Sequence, residues 1–164
     1  VEGFNPYAET KLIGEHICEN YFKYFKVRSI ILRPFNIYGL GQNGQYLIPI
    51  ILEQAKTGAI KLLDPHPKRD FVYVDDVVNA FRIAVENNDV KHDRFNVGYG
   101  VSHSVNDVVE VVNKLYDNSL KVEYDNEQRK NEVLDTIADI SKIKSSLNWT
   151  PETSLFKGLR RMIR

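Results

Sequence analysis

The segment Lys26-Val27-Arg28-Ser29-Ile30-Ile31-Leu32-Arg33-Pro34 decides the fold class. Its centre, Ile30-Ile31-Leu32, is an unbroken apolar run stopped by Pro34, which reads as a parallel-sheet strand buried on both faces, spanning Val27 to Leu32. Such a strand needs covering helices, and one precedes it. Leu12, Ile13, His16, Ile17 and Tyr21 fall at helical spacing between Tyr7 and Phe25, with Pro6 where a first turn tolerates it. The alternation then continues downstream. Gly39, Gly41, Asn43 and Gly44 form a loop, Leu47 to Lys56 is helical, and Ile60 to Leu63 is a strand closed by Asp64-Pro65. Phe71 to Val74 is another short extended piece. Asp75 or Asp76 is expected to cap a helix whose apolar face is Val77, Val78, Phe81, Ala84 and Val85. Arg94 to Val97 is strand-like, and Ser104 followed by Asp107 caps an amphipathic helix carrying Val105, Val108, Val109, Val112 and Leu115. Lys121 to Tyr124 reads as a strand, Ile140 to Leu147 as a short helix, and Leu155 to Ile163 as a last helix capped by Ser154. Strands alternating with helices, without internal repeats or a linker, make the class α/β.

The bulk numbers narrow the function. With 164 residues, 43% hydrophobic and 27% charged, the chain is expected to be a single soluble globular unit rather than disordered, collagen-like or coiled-coil. Twenty-two basic residues balance 22 acidic ones, which argues against a general nucleic-acid binder or an acidic-membrane binder. One cysteine, Cys18, cannot form an internal disulfide, so the expected compartment is the cytoplasm. No apolar run approaches the ~20 residues that cross a bilayer. The first residue is Val1 rather than methionine, and a piece of a longer protein is expected.

Several residues could carry chemistry. Tyr7-Ala8-Glu9-Thr10-Lys11 puts a phenol and an ammonium on one helix face, where a nearby cation favours phenolate and suits a general acid/base acting on an alcohol or carbonyl. The spacing alone is a weak signal. Gly98-Tyr99-Gly100, with Glu123 about twenty residues on, imitates a dinucleotide fingerprint. His103 occupies the third glycine position, however, so both glycines read as turn residues. His16, His66, His92, His103 and Cys18 share no ligand spacing, and no metal site is expected. Asp75 and Asp76 read as capping residues rather than a catalytic pair. Arg33, Arg69 and Arg129 lie beside loops, where guanidinium suits paired phosphate oxygens, though each taken singly reads as an ion-pair partner.

Their order along the chain says more. Asn5-Pro6-Tyr7-Ala8-Glu9-Thr10-Lys11, Leu32-Arg33-Pro34-Phe35-Asn36-Ile37-Tyr38-Gly39, Arg69-Asp70-Phe71-Val72-Tyr73-Val74-Asp75-Asp76-Val77, Phe95-Asn96-Val97-Gly98 and Ala138-Asp139-Ile140-Ser141-Lys142, followed by Leu147-Asn148-Trp149-Thr150-Pro151, resemble the NAD-dependent epimerase/dehydratase family. These are extended short-chain dehydrogenases of the UDP-glucose 4-epimerase type. The resemblance implies that residues 1–164 are the C-terminal part of a Rossmann-like doubly wound fold, interleaved with a smaller nucleotide-sugar-binding region. It implies tightly held NAD as a transient hydride store and a nucleotide-diphosphate sugar as substrate. Tyr7 would be the base, and Lys11 would hold the nicotinamide ribose and assist it. Phe35 would join Tyr7 and Lys11 beside the cofactor. Asn36, Tyr46, Leu47, Arg69, Phe71, Arg129 and Glu132 would line the substrate site, the two arginines on phosphates or nearby ribose.

The departures from the family pattern carry expectations too. The Gly-rich NAD loop and the Ser or Thr that assists the tyrosine precede the Tyr-x-x-x-Lys block in that family, and only six residues precede Tyr7 here. The N-terminal NAD-binding half is absent, so the isolated chain is expected to be inactive. It is also expected to self-associate, to swap elements or to need the missing half, because a parallel strand without its neighbours is an exposed edge. Asp64-Pro65-His66-Pro67-Lys68 stands where relatives carry a Gly-Asp-Gly turn, and Glu132 where aspartate is common. Two alternatives remain open: a nucleotide-sugar 4,6-dehydratase, and a non-catalytic nucleotide-sugar binding or assembly module.

Overall fold

The computed structural model describes residues 6–127 and 132–163. Helix α1 (Pro6–Phe25) leads into strand β1 (Ser29–Pro34) and the short β2 (Asn36–Tyr38), followed by α2 (Leu47–Ala55) and β3 (Ala59–Leu62). Strand β4 (Lys68–Tyr73) runs directly into α3 (Val74–Glu86), then come β5 (His92–Val97), β6 (Ser102–Ser104) and α4 (Val105–Leu115). Strand β7 (Lys121–Tyr124), α5 (Ser141–Leu147) and α6 (Leu155–Met162) complete the order. The alternation expected of an α/β chain is observed, and the parallel pairings with it. β1 lies parallel to β5 with Ser29 opposite His92, β2 parallel to β4 with Asn36 opposite Phe71, and β3 parallel to β7 with Ala59 opposite Lys121. Only the β4–β6 pair is antiparallel among the described residues.

Strand β4 separates two apolar cores. Successive strand side chains point to opposite faces, and here Phe71 and Tyr73 enter a core with Tyr38, Ile51, Ile60, Val112 and Leu159, while Val72 enters another with Val77, Phe95, Ile143 and Trp149. Helices α2, α4 and α6 cover the first core; α3 and α5 cover the second. The caps of α4 and α6 follow the sequence. The Asp107 N–H donates to Ser104 Oγ at 3.0 Å and the Ser104 N–H to Asp107 Oδ2 at 2.7 Å, a closed capping box. The Lys157 N–H donates to Ser154 Oγ at 3.4 Å.

Three expectations are corrected. The residues of β1 are half-buried or exposed rather than buried on both faces, because β1 pairs only with β5 among the described residues. Helix α3 buries Val77, Ala80 and Ala84 and leaves Val78, Phe81 and Val85 exposed. Its small alanines allow close approach to the strands, and that packing turns the larger side chains outward. Neither Asp75 nor Asp76 caps α3, which starts at Val74 after an uncapped Tyr73. Asp76 is buried instead. Its carboxylate accepts the Thr153 N–H at 2.9 Å, and its carbonyl accepts Trp149 Nε1 at 3.1 Å, fastening the segment before α6 to α3. Strands β2 and β6 have three residues each, too few to leave a periodic signature.

Tyr38 is 1% exposed, edge-on to both Phe71 and Tyr73, and a Cβ placed on Gly158 would overlap its hydroxyl. The ring has no room to retreat. Gly158→Ala is therefore expected to destabilise the chain by about 1–3 kcal/mol, the usual cost of overpacking, read as a lower urea midpoint at unchanged slope. An unchanged midpoint would show that α6 can slide off Tyr38 without penalty.

Candidate functional site

A cavity of about 1450 Å3 opens beside the first turn of α1, the end of β1, the start of α2 and the end of β3. Each wall follows from the chain's local shape. Pro34 ends β1, and the next residue, Phe35, stays tied to the sheet through its N–H to Val97 O at 2.9 Å. That leaves Phe35 and Asn36 at the strand's end, on the cavity wall. Asn36 Nδ2 donates to the Asp70 carbonyl at 3.2 Å, which fixes its side chain against β4. Tyr46 occupies the N-cap position of α2 and Leu47 its first turn, both on the wall, with Tyr46 largely exposed. Phe71 reaches the wall from β4.

Arg69 carries most of the polar geometry. Its Nη1 donates to Lys68 O at 2.8 Å and Val133 O at 2.7 Å, and its Nη2 to Glu132 Oε1 at 3.0 Å. Glu132 begins an extended segment running to Asp139, held to β4 also by the Lys68 N–H to Leu134 O at 2.8 Å. Around this pair a smaller pocket of about 610 Å3 is lined by Pro34, Phe35, Asn36, Arg69, Glu132, Val133 and Thr136. Arg129, expected to act beside Arg69, lies outside the described residues.

Tyr7 lies in the first turn of α1, 69% exposed, with its side chain on the cavity wall. Lys11 stands one turn on, its Nζ 5.2 Å from the Tyr7 ring centroid. The helical spacing thus brings the two groups together as expected. Tyr7, Phe35, Asn36, Tyr46, Leu47, Arg69, Phe71 and Glu132 share one cavity, with Lys11 behind Tyr7. Lys61, Asp64 and Asp125 also line it, and sequence reasoning missed them as site residues. Lys61 Nζ pairs with Asp125 at 3.0 Å across the β3–β7 ends, a contact that only strand register reveals. Asp64 accepts the His66 N–H at 3.0 Å, closing the turn at Pro65, and that bond leads the His66 contacts holding its carboxyl below the usual range.

Arg33 turns away from phosphate chemistry. Its guanidinium clasps Glu15 of α1, Nε donating to Oε1 at 2.6 Å and Nη2 to Oε2. Arg94 of β5 approaches the same carboxylate at 3.5 Å and Glu19 at 3.7 Å. This clasp explains how α1, without a single buried residue, is held to the β1–β5 pair.

A dinucleotide fits only in part. Tyr7, Lys11 and Phe35 offer a phenol, an ammonium and an aromatic face suited to a nicotinamide ribose. No described Gly-rich turn opens a helix in a way that would cradle a diphosphate. Gly98-Tyr99-Gly100 joins two strands; Gly100 has φ +82°, as the turn reading expects, whereas Gly98 answers to packing, since a Cβ there would overlap Ala138.

The parallel α/β scaffold, with a Tyr-x-x-x-Lys helix start and an arginine on one cavity, defines a Rossmann-like chain of the short-chain dehydrogenase kind. Residues 1–162 match the family model described as GDP-mannose 4,6 dehydratase, and the chain belongs to that family. It is 32% identical over 162 residues to a UDP-glucuronate 4-epimerase of Thermodesulfobacterium geofontis, covering 97% of this chain and 49% of that protein. The UDP-glucose 4-epimerase of Thermotoga maritima, solved with UDP-glucose, superposes with a TM-score of 0.87 at 29% identity, over 96% of this chain and 52% of that one. The UDP-glucuronic acid 4-epimerase of Bacillus cereus, solved with UDP-glucuronic acid and NAD, gives 0.85 at 29% identity, over 97% and 51%. The chain spans about half the length of the curated relatives it matches. No helix among the described residues is long and apolar enough to cross a membrane.

The clasp on α1 makes Tyr7 placement pH-dependent. The Arg33 hydrogen bonds, ahead of the charges of Arg33 and Arg94, hold the Glu15 carboxyl below its ordinary 4.5. A depressed carboxylate contributes stability that is whole above its ordinary value and lost as pH falls through the lowered one. Protection of the α1 amides, measured against the intrinsic exchange rate at each pH, is therefore expected to fall below pH 4.5, and Glu15→Gln to show the looser helix already at neutral pH. Equal protection of α1 in both proteins at pH 7 would contradict this anchoring.

Proposed function

We propose that the chain is the C-terminal, substrate-gripping part of an NAD-dependent nucleotide-sugar 4-epimerase of the UDP-glucose 4-epimerase kind. The observation that carries this reading is one cavity lined by both Tyr7 and the Arg69–Glu132–Asn36 group. Two kinds of chemistry need that combination: a proton acceptor at a sugar hydroxyl, and a grip on the diphosphate that keeps the sugar within reach. Arg69 supplies the grip by charge-assisted bonds to phosphate oxygens, and its bonds to Val133 O and Glu132 hold the guanidinium ready. Asn36, Phe71, Tyr46 and Leu47 shape the walls around the nucleotide, and Glu132 accepts from hydroxyls. Tyr7 is the proton acceptor at the sugar hydroxyl, with the Lys11 ammonium 5.2 Å from its ring centroid to favour the transfer. The chemistry that NAD would supply when bound is reversible acceptance of the hydride from the sugar carbon and its return. A diphosphate handle leaves the sugar ring free to present either face. The named activities of the T. maritima and B. cereus proteins support this choice. The family model's description favours a 4,6-dehydratase as the second reading.

Catalysis then belongs to a protein in which this chain is joined by an NAD-binding half, and binding belongs to the chain itself. UDP-glucose titrated calorimetrically into the chain is expected to bind. Arg69→Ala should weaken binding about tenfold or more, the range for losing a hydrogen bond to a charged group. Tyr7→Phe should leave affinity unchanged and abolish turnover only where the NAD-binding half is present. Equal losses of affinity in both variants would contradict the division of roles.

The same reading makes the chain sticky. Leu12, Ile13, Ile17 and Tyr21 of α1 are exposed beside a β1 that has one paired neighbour among the described residues. Self-association is expected in sedimentation at micromolar concentration. Ile13→Glu with Ile17→Glu should shift it toward monomer, and a monomeric parent chain would refute the idea.

A further inference from the structure

Asp70 follows Arg69 on β4 and is fully buried. It faces away from the Arg69 side, as neighbours on a strand do. Its Oδ1 accepts the Tyr99 N–H at 2.6 Å, and its Oδ2 accepts the N–H groups of Gly100 at 2.8 Å and Ala138 at 3.1 Å. Its carbonyl holds Asn36 Nδ2 at 3.2 Å. One residue therefore joins the turn after β5, the extended segment 132–139, and the side chain at the start of β2. The segment's other anchors are Lys68 N–H to Leu134 O at 2.8 Å, Arg69 Nη1 to Val133 O at 2.7 Å and Nη2 to Glu132 Oε1 at 3.0 Å on β4, and Asn96 Nδ2 of β5 to Asp139 O at 3.2 Å. The packing there is tight. A Cβ on Gly98 would overlap Ala138 and come within 2.9 Å of Asp70 Oδ2.

We propose that Asp70 is a positioning residue of the candidate site: its carboxylate clamps segment 132–139 against β4 and so holds Glu132 beside Arg69. This deepens the proposed nucleotide-sugar reading and rests on it for the identity of the ligand. The carboxylate is suited to the task because three N–H donors converge on it. An asparagine there offers one oxygen and one NH2, and whichever way the amide turns, donor meets donor on one side. A buried group left without its partner loses more than the bond itself, since no water replaces it. The segment then loses its hold on Asp70, and the Arg69–Glu132 distance of 3.0 Å loses its support.

The test compares the chain with Asp70→Asn and Gly98→Ala, by amide exchange and by titration with UDP. Asp70→Asn removes the acceptor. Gly98→Ala keeps the carboxylate and wedges the segment away through Ala138. Both variants are expected to lose protection at residues 132–140 while α4 keeps its protection, and both to bind UDP about tenfold more weakly, as for loss of a charge-assisted contact. Unchanged exchange at 132–140, loss spread equally into α4, or a loosened segment with undiminished UDP affinity would each overturn the proposal. A merely structural role moves melting temperature and α4 exchange together, and does not single out the segment. If Asp70→Asn fails to fold, Gly98→Ala decides on the same two readouts. If the parent chain binds no UDP, selective loosening of 132–140 still supports the clamp, and it is the nucleotide reading that falls.

Discussion

Strand β4 is buried along most of its length, and a buried strand must have every polar group it carries satisfied by the protein itself. That constraint organises the molecule. Phe71 and Tyr73 face one core and Val72 the other, so β4 is the partition both cores share. Two aspartates, Asp70 within β4 and Asp76 in the first turn of the following α3, are buried as well and reach for backbone N–H groups far away in sequence. Asp70 draws in the turn at residues 99–100 and the segment at 138; Asp76 draws in Thr153. Long connections that would wander over the surface are thereby pinned to the central strand. Of these connections, the one through residue 138 reaches the cavity, where Glu132 forms part of the wall.

Helix α1 obeys a different balance. Its apolar side chains bury little, so the hydrophobic term that holds most helices in place contributes weakly here. The Glu15 clasp with Arg33 and Arg94, the Arg94–Glu19 pair, the stack of Phe22 on His92 with ring centroids 5.0 Å apart, and chain continuity into β1 are among its ties to the rest. Partly exposed ion pairs are individually weak. Several of them on one carboxylate fix direction better than they fix stability, and direction is what Tyr7 needs at the cavity mouth.

How far this was legible in the sequence varies with the range of the interaction. The α/β alternation, the α4 capping box and the pairing of Tyr7 with Lys11 were readable because each is decided within a few residues. The buried face of α3 was misread because hydrophobicity favoured Val78, Phe81 and Val85, whereas close packing on the strands selected Ala80 and Ala84. Asp76 looked like a cap because aspartate at a helix start ordinarily is one; its partner, Thr153, lies 77 residues on. Arg33 and Arg69 looked alike as loop-side guanidiniums. Only the fold shows that Glu15 claims the first and that the second stays on the cavity. The grouping of Asn36, Tyr46, Phe71 and Glu132 came from family resemblance, and no local pattern would have assembled it.

Charge is unevenly spread over the described cavity wall. The described wall carries Lys61 and Arg69 against Asp64, Asp125, Glu127 and Glu132, an excess of carboxylates that is unfavourable for a diphosphate spread over the whole surface. The smaller pocket holds only Arg69 and Glu132 of these six. A dianion therefore has one favourable place, beside the guanidinium, and is repelled from the Asp64–Asp125–Glu127 side. Carboxylates on that side suit neutral donors, the hydroxyl and N–H groups of a nucleoside. The short β4 segment from Arg69 to Phe71 sets the scale: guanidinium, buried carboxylate and aromatic wall stand in three consecutive residues, the outer two on the cavity and the middle one on the opposite face.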